Sequence, residues 1–302
     1  MQLGLVGLGR MGGNMAARLR DAGHEVIGYA RDPKVSQVAS LADLAAALAP
    51  PRVVWLMVPA EATDGVIAEL SASLTSGDLV IDGGNSSFQL DRPRAARLAE
   101  RGIGYVDVGV SGGIWGREAG YALMVGGTQE HVQRLMPILT ALKPAGEYGL
   151  VHAGPVGAGH YAKMVHNGIE YGLMHAYAEG LELLEASEYV TDVPAIIKSW
   201  REGTVIRSWL LDLLDRALDE DPELASLRGF VEDTGEGRWT VDEAIRLAVP
   251  LHVISAALFA RFTSRQDDSP AMRAVAALRN QFGGHAVKKD VGRGEAVGGT
   301  GS

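Results

Sequence analysis
The first half of the chain alternates short apolar runs with stretches of helical period. The runs are "QLGLVG" (2–7), "HEVIGYA" (24–30), "RVVWLMV" (52–58), "DLVIDGG" (78–84), "GYVDVGV" (104–110), "YALMVGG" (121–127) and "GEYGLVH" (146–152). Each reads as a strand. A helical pattern from Met11 to about Ala22 follows the first, and helix-like segments separate the others. Strands alternating with helices predict a parallel, doubly wound sheet. The pattern changes near Gly154. From Val156 onward the chain reads as long helices, over 161–186, 205–218 and 241–265. Gly168, Gly172 and Gly180 are weak points of the first. Pro250 is set to end or kink the last. Residues 291–302, "VGRGEAVGGTGS", have little to bury and read as a mobile tail.

With 302 residues and 47% hydrophobic content the chain can bury a real core, in two domains or one large one. Its formal net charge of −9 argues against binding driven by nucleic-acid phosphates or by an anionic membrane surface. A few local Arg and Lys residues can still hold an anionic small molecule. The chain has no cysteine, which excludes a disulfide framework, a thiolate zinc site and a cysteine nucleophile. The longest apolar runs, such as "VVWLMVPA", are too short to span a bilayer, and no secretory signal is read at the N-terminus. The expectation is a soluble cytoplasmic protein with neither nucleic acid nor membrane as partner.

"GLGRMG" sets Gly7, Gly9 and Gly12 in the G-x-G-x-x-G order, with Leu8, Arg10 and Met11 between them, where the first strand meets its helix. The first glycine allows the tight turn, the second lets backbone approach a pyrophosphate, and the third lets helix and strand pack closely. The helix N-terminus offers free N–H groups to the phosphates. In this strand–turn–helix context the loop predicts a Rossmann-type, doubly wound dinucleotide-binding domain over residues 1–154. An all-α domain follows over 155–290. The end of the second strand tells NAD from NADP. In "GYARDP", Ala30 stands where an acid would serve a ribose hydroxyl, and Arg31 suits a 2′-phosphate. Asp32 could neutralise Arg31 or serve the hydroxyl itself. The reading leans to NADP and leaves NAD open.

In "KMVHNGIEYG" (163–172) Lys163, His166, Asn167 and Glu170 share one helix face, at offsets i, i+3, i+4 and i+7. A solvated face is the plain alternative. Such a face more often carries Glu, Lys and Arg than His and Asn, and Met164, Val165 and Ile169 leave the rest of the helix apolar. Two turns separate Lys163 from Glu170, ~10.5 Å along the axis, a span that brackets a short carbon chain. Lys163 can take a proton at one point while Glu170 delivers one at another. The amine must then be neutral, so its pKa must fall through burial or a nearby positive charge, and that of Glu170 should rise. His160, His166 and His175 form no coherent ligand set, and no metal is expected.

Six motifs, "GLGRMG" (7–12), "DGGNS" (82–86), "VSGG" (110–113), "AKMVHNGIEYG" (162–172), "GEGRWT" (235–240) and "RNQFGGH" (279–285), run through nearly the whole chain. Together the chain resembles the decarboxylating 6-phosphogluconate dehydrogenases, in their shorter bacterial form, within the β-hydroxyacid dehydrogenase superfamily. The resemblance implies that Lys163 removes the proton of the substrate's 3-hydroxyl as hydride passes to the nicotinamide. The 3-keto acid then loses carbon dioxide, and Glu170 protonates the enediol to give a pentulose phosphate. His166 and Asn167 would hold hydroxyls, and Ser111, Gly112 and Gly113 the carboxylate. Asn85 would sit between nicotinamide and substrate, with Val58 and Ala60 lining the cofactor cleft. Tyr171 and Arg261 would meet the phosphate, joined by Arg279 and His285 from a neighbouring subunit. That implies a homodimer or homotetramer, with the all-α domain serving both substrate and dimerisation.

Three departures from the family pattern stand out. Thr234 occupies the place where many members carry a phosphate-binding lysine. A second block of helices found in the long members is missing. The cofactor loop reads Ala-Arg-Asp rather than Asn-Arg-Thr. Two other readings remain: a 3-hydroxyisobutyrate-type dehydrogenase, which needs neither Glu170 nor a phosphate clamp, and a silent NADP-binding scaffold.

Overall fold
The computed structural model describes residues 1–283 and 286–288. Among the described residues there are seven strands: β1 (Gln2–Val6), β2 (Glu25–Tyr29), β3 (Val53–Leu56), β4 (Leu79–Asp82), β5 (Gly104–Ser111), β6 (Ala122–Gly126) and β7 (Leu150–Gly154). The helices among them are α1 (Arg10–Asp21), α2 (Leu41–Ala47), α3 (Ala60–Ser73), α4 (Asp91–Ala99), the short α5 (Gly116–Ala119) and α6 (Gln129–Leu142). Six further helices follow β7: α7 (Ala158–Glu185), α8 (Val193–Trp200), α9 (Trp209–Glu220), α10 (Glu236–Leu247), α11 (His252–Thr263) and α12 (Pro270–Gly283). No helix among the described residues is long and apolar enough to cross a membrane.

The strands form one sheet in the order β2-β1-β3-β4-β5-β6-β7. Side chains of alternate residues leave it on opposite faces. Val53 and Trp55 of β3 join α1 and α6 in one core, while Val54 and Leu56 join α2, α3 and α4 in the other. Both faces are covered, which is why the strands read as continuous apolar runs. The chain leaves β1 for β2 on one side and reaches β3 on the other, so the crevice between β1 and β3 is a topological switch point. The alternation predicted a parallel sheet, and the sheet is parallel except at one pair. β6 runs antiparallel to β5, and β7 is parallel to β6. The link between β5 and β6 holds only a single 3₁₀ turn and α5, too little for a crossover helix, so the strand returns directly.

Two helical boundaries also differ from the periodicity. The segment 205–218 becomes helix only at Trp209, because Ser208 is extended and its Oγ accepts the Leu211 N–H at 3.1 Å as the cap. The segment 241–265 is two helices. It breaks between Leu247 and His252, where Pro250 lies and Ala248 takes a left-handed φ of 54°. The tail 291–302 lies outside the described residues.

α7 joins the sheet to the helical layer. Its N-cap, Gly157, has no side chain, and the cap comes from β5 instead. Asp107 Oδ1 accepts the Gly157 N–H at 2.7 Å, and Oδ2 accepts the His160 N–H at 2.9 Å. The His160 ring is buried, with Nδ1 2.9 Å from Asp91 Oδ2. Tyr105 donates to Asp91 at 2.8 Å, and the buried Arg94 pairs with Asp82 at 3.1 Å. These groups take up most of one another's hydrogen-bonding capacity, and only the buried His160 Nε2 among them is without a partner among the described residues. Burial alone would lower the His160 pKa, but the Asp91 carboxylate, with Asp82 and Asp107 behind it, raises it to about 9. Burial pushes Asp91 up while the imidazolium opposes it, and the proton of the pair stays on His160. Farther along, Gly168 and Gly172 are contact points rather than weak points. They bring α7 against Thr240 of α10 and against Val253 and Ile254 of α11.

This network makes stability depend on pH. The folded His160 pKa lies above its ordinary 6.5, so its contribution is complete below pH 6.5 and is lost as the pH rises through about 9. Asp91→Asn should remove that decline from thermal melts taken across this range. At neutral pH it should cost about 3–5 kcal/mol in urea unfolding, as expected for a broken buried ion pair. Unchanged stability and an unchanged pH profile would contradict the assignment.

Candidate active site
A cleft of about 1450 Å³ opens at the switch point. Gly7, Leu8, Gly9, Arg10, Met11 and Gly12 form its floor, with Ala30 and Arg31 after β2 and Val58 after β3. The glycines divide their work as the loop requires. Gly7 has φ 97°, and a β-carbon there would collide with the Met57 carbonyl; one on Gly12 would collide with the Gly7 carbonyl. Around Gly9 there is open space where a β-carbon would stand. Gly9 caps α1 without a side-chain hydrogen bond, so the first-turn N–H groups are left for a ligand. This cradle fits the pyrophosphate of a dinucleotide.

The same cleft is lined by Asn85, by Ser111, Gly112 and Gly113 at the end of β5, and by Lys163, His166, Asn167 and Glu170 of α7. The polar stripe therefore faces the cleft. Its opposite side, Met164, Gly168 and Tyr171, is buried, while Val165 and Ile169 line the cleft beside it. The close seating of α7 on β5 requires Gly109, where a β-carbon would collide with the Lys163 side chain. Lys163 Nζ donates to Asn167 Oδ1 at 2.6 Å and lies 3.5 Å from His166 Nδ1. His166 Nε2 is 3.5 Å from Ser111 Oγ, and its Nδ1 is 3.8 Å from Glu170. Burial holds the Lys163 pKa below its ordinary 10.5, while Glu170 and Glu236 pull it back up. A partly desolvated lysine at the mouth of a cofactor cleft is a candidate general base.

The remaining expected site residues are not among those lining the cleft of this single chain. Asp32 does not line the cleft; its Oδ1 accepts the Lys34 N–H at 2.9 Å and shapes the turn. Ala60 begins α3, and its neighbours Pro59 and Ala62 line the cleft instead. Tyr171 and Arg261 are not among the lining residues. They stack on one another, with the guanidinium carbon 3.4 Å from the ring centre, and the buried Tyr171 hydroxyl has no partner among the described residues. Arg279 is exposed on α12. His285 lies outside the described residues. Thr234 donates its hydroxyl to Glu236 at 2.7 Å.

The structure adds residues that the sequence reading passed over. Glu236 is 3% exposed, and its carboxylate accepts from Asn85, Asn167 and Thr234. Its only sequence signal was membership of "GEGRWT". Trp115 closes the cleft from the turn after β5, and Trp209 and Leu213 close it from α9. Arg216 of α9 stacks over Trp115 at 4.7 Å and joins the two walls. No local pattern distinguishes these residues from ordinary core or surface positions.

Asp82, Asp91 and His160 place potential ligand atoms within 4.8 Å of one another. Those carboxylates are already engaged by Arg94, Tyr105 and the imidazole.

Residues 2–149 match the family model for the NAD binding domain of 6-phosphogluconate dehydrogenase, and residues 159–291 match that for its C-terminal domain. A Haloferax volcanii protein named as an NAD(+)-dependent, decarboxylating 6-phosphogluconate dehydrogenase is 42% identical over 300 residues, covering 96% of this chain and 99% of the relative. The solved Plasmodium falciparum 6-phosphogluconate dehydrogenase, described with NADP+ and with 6-phosphogluconate, superposes with a TM-score of 0.78 at 26% identity. It covers 97% of this chain and 67% of that one. A Mycobacterium tuberculosis 3-hydroxyisobutyrate dehydrogenase shares the fold, with a TM-score of 0.69 at 24% identity over 92% of this chain and 99% of that one. The dinucleotide cradle, the polar face of α7 and these matches along the whole chain lead to one assignment: the chain belongs to the 6-phosphogluconate dehydrogenase family.

Proposed function
We propose that the chain catalyses the oxidative decarboxylation of 6-phosphogluconate to ribulose 5-phosphate, with a nicotinamide dinucleotide as oxidant. The observation that carries this reading is the shared cleft: Lys163 and Glu170, two helical turns apart, face the same space as the glycine loop. The bound nicotinamide supplies the hydride acceptor. Lys163 takes the proton of the 3-hydroxyl, and Asn167 and His166 orient that hydroxyl and its neighbour. The new ketone accepts the electron pair left as the C1 carboxylate departs as carbon dioxide, so no metal is required. Glu170 then donates the proton that converts the enediol into the ketopentose. Ser111 and the backbone of Gly112 and Gly113 hold the carboxylate end, with Asn85 at the junction with the cofactor.

The phosphate end is assigned, on the family resemblance, to Tyr171 and Arg261, where a buried hydroxyl without a partner among the described residues lies beside a guanidinium, although neither residue lines the cleft. Arg279 and His285 of a second copy complete it, in a homodimer or homotetramer. The exposed apolar residues Ile245, Val253, Phe259 and Leu278 on α10 to α12 support such packing. In this reading residues 1–154 hold the dinucleotide and 155–290 bring substrate and partner, although the first turns of α7 pack on the sheet. NADP is the preferred cofactor. Arg31 lines the cleft while Asp32 is engaged in its own turn. The Haloferax relative is named for NAD, so NAD remains the alternative.

Incubation with 6-phosphogluconate and either cofactor should yield reduced nicotinamide and carbon dioxide in equal amounts. Reduced cofactor without carbon dioxide would point instead to a plain hydroxyacid dehydrogenase. Lys163→Ala should lower kcat by about 10²–10⁴-fold while cofactor fluorescence titration still shows binding; full activity would sink the mechanism. The base acts only when deprotonated, so kcat/KM should rise with pH along a limb set by Lys163, with its midpoint below 10.5. Arg31→Ala should raise the KM for NADP by about tenfold or more and leave that for NAD nearly unchanged. Equal losses with both cofactors would remove Arg31 from phosphate recognition.

A further inference from the structure
We propose that Glu236 is a positioning residue of this reaction: its buried carboxylate clasps the side-chain amides of Asn85 and Asn167 and so aims the Asn167 carbonyl at the Lys163 amine. The inference rests on the dehydrogenase reading above and assigns a role to a residue that reading leaves out.

Glu236 is the first residue of α10 and is almost fully buried. A buried carboxylate is costly unless its lone pairs are taken up. Here every acceptor contact comes from a neutral group. Oε1 accepts from Asn85 Nδ2 and from Asn167 Nδ2, the latter at 3.3 Å, and Oε2 accepts from Thr234 Oγ1 at 2.7 Å. Among the described residues no lysine or arginine forms an ion pair with it. These bonds decide how Asn167 stands. An amide has a donating and an accepting end. With its NH₂ held by Glu236, its Oδ1 must face away, and there it accepts from Lys163 Nζ at 2.6 Å. Asn85 comes from the loop after β4, Asn167 from α7 and Glu236 from α10. One carboxylate thus sets the register of three elements at the reacting centre.

Charge is the second effect. The titratable groups facing Lys163 are His166 and Glu170 on its own helix and Glu236 on α10. β5, packed on the other side, presents Gly109 and Ser111, which carry no charge. Glu170 and Glu236 both favour the ammonium form and oppose burial. Glu236 therefore helps set the fraction of Lys163 that is free to act as a base. Thr234 is committed to the same carboxylate.

The test compares Glu236→Gln and Glu236→Asp with the wild type, using 6-phosphogluconate and the better cofactor across pH 6–10. The Gln variant keeps the shape and removes the charge. Its acid limb in kcat/KM should move down by about one pH unit, while its plateau kcat stays within about twofold of wild type, because the amide oxygen can still accept from both asparagines. The Asp variant keeps the charge but is one methylene too short to reach both amides. Its kcat should fall roughly tenfold as Asn167 loses its fixed orientation, while its acid limb stays at the wild-type pH. A Gln variant with the wild-type limb would overturn the proposal. So would an Asp variant with wild-type kcat, which keeps the test decisive if the Gln variant does not fold. A wild type that oxidises no 6-phosphogluconate would refute the proposed function itself, an outcome distinct from either.

Discussion
The site depends on how α7 is seated. A helix that begins with a glycine cap has no side chain of its own to satisfy its first N–H groups, and Asp107 reaches from β5 to do so. The buried His160–Asp91 pair fixes the same turn to α4. Once the first turn is anchored, the helical period sets everything downstream. Lys163 comes to lie over Gly109, and three and four residues later His166 and Asn167 reach the cleft. Another turn on, Glu170 joins them. A small rotation of the anchor would carry the whole stripe away from the cleft, so its placement derives from a polar network outside the cleft lining.

Burial acts oppositely at the two ends of this arrangement. At His160 three carboxylates outweigh desolvation and keep a proton on the ring, which suits a structural cation. At Lys163 desolvation outweighs two carboxylates and loosens the proton, which suits a base. The difference is one of distance and contact. Asp91 touches the imidazole directly, whereas Glu236 reaches the amine through Asn167 and Glu170 stands two turns along the same helix.

Much of this was legible in the sequence, because it is written in local patterns. The glycine loop, the runs of buried strands and the four-residue stripe each depend on neighbours within a few turns. What the sequence concealed depends on long-range contact. The antiparallel turn of β6 follows from a short link that looked like any loop. Asp32 could be read either as a partner for Arg31 or for a ribose hydroxyl, and its Oδ1 accepts the Lys34 N–H in a turn of its own chain. Glu236 lies 69 residues from Asn167 and 151 from Asn85, and nothing near it in the chain announces that it holds both. Gly168 and Gly172 read as helix weaknesses because their partners on α10 and α11 come from far along the chain.

In the proposed mechanism Lys163 and Glu170 bracket the reacting carbons of one substrate in the cleft beside the glycine loop. A crystal structure with 6-phosphogluconate and oxidised cofactor bound tests it most directly. The expected complex has the 3-hydroxyl within about 3 Å of Lys163 Nζ, C2 within reach of Glu170, the C1 carboxylate against Ser111, Gly112 and Gly113, and the phosphate against Tyr171 and Arg261. A substrate whose 3-hydroxyl lies against any other residue, or which binds with its carboxylate towards Arg261, would contradict it.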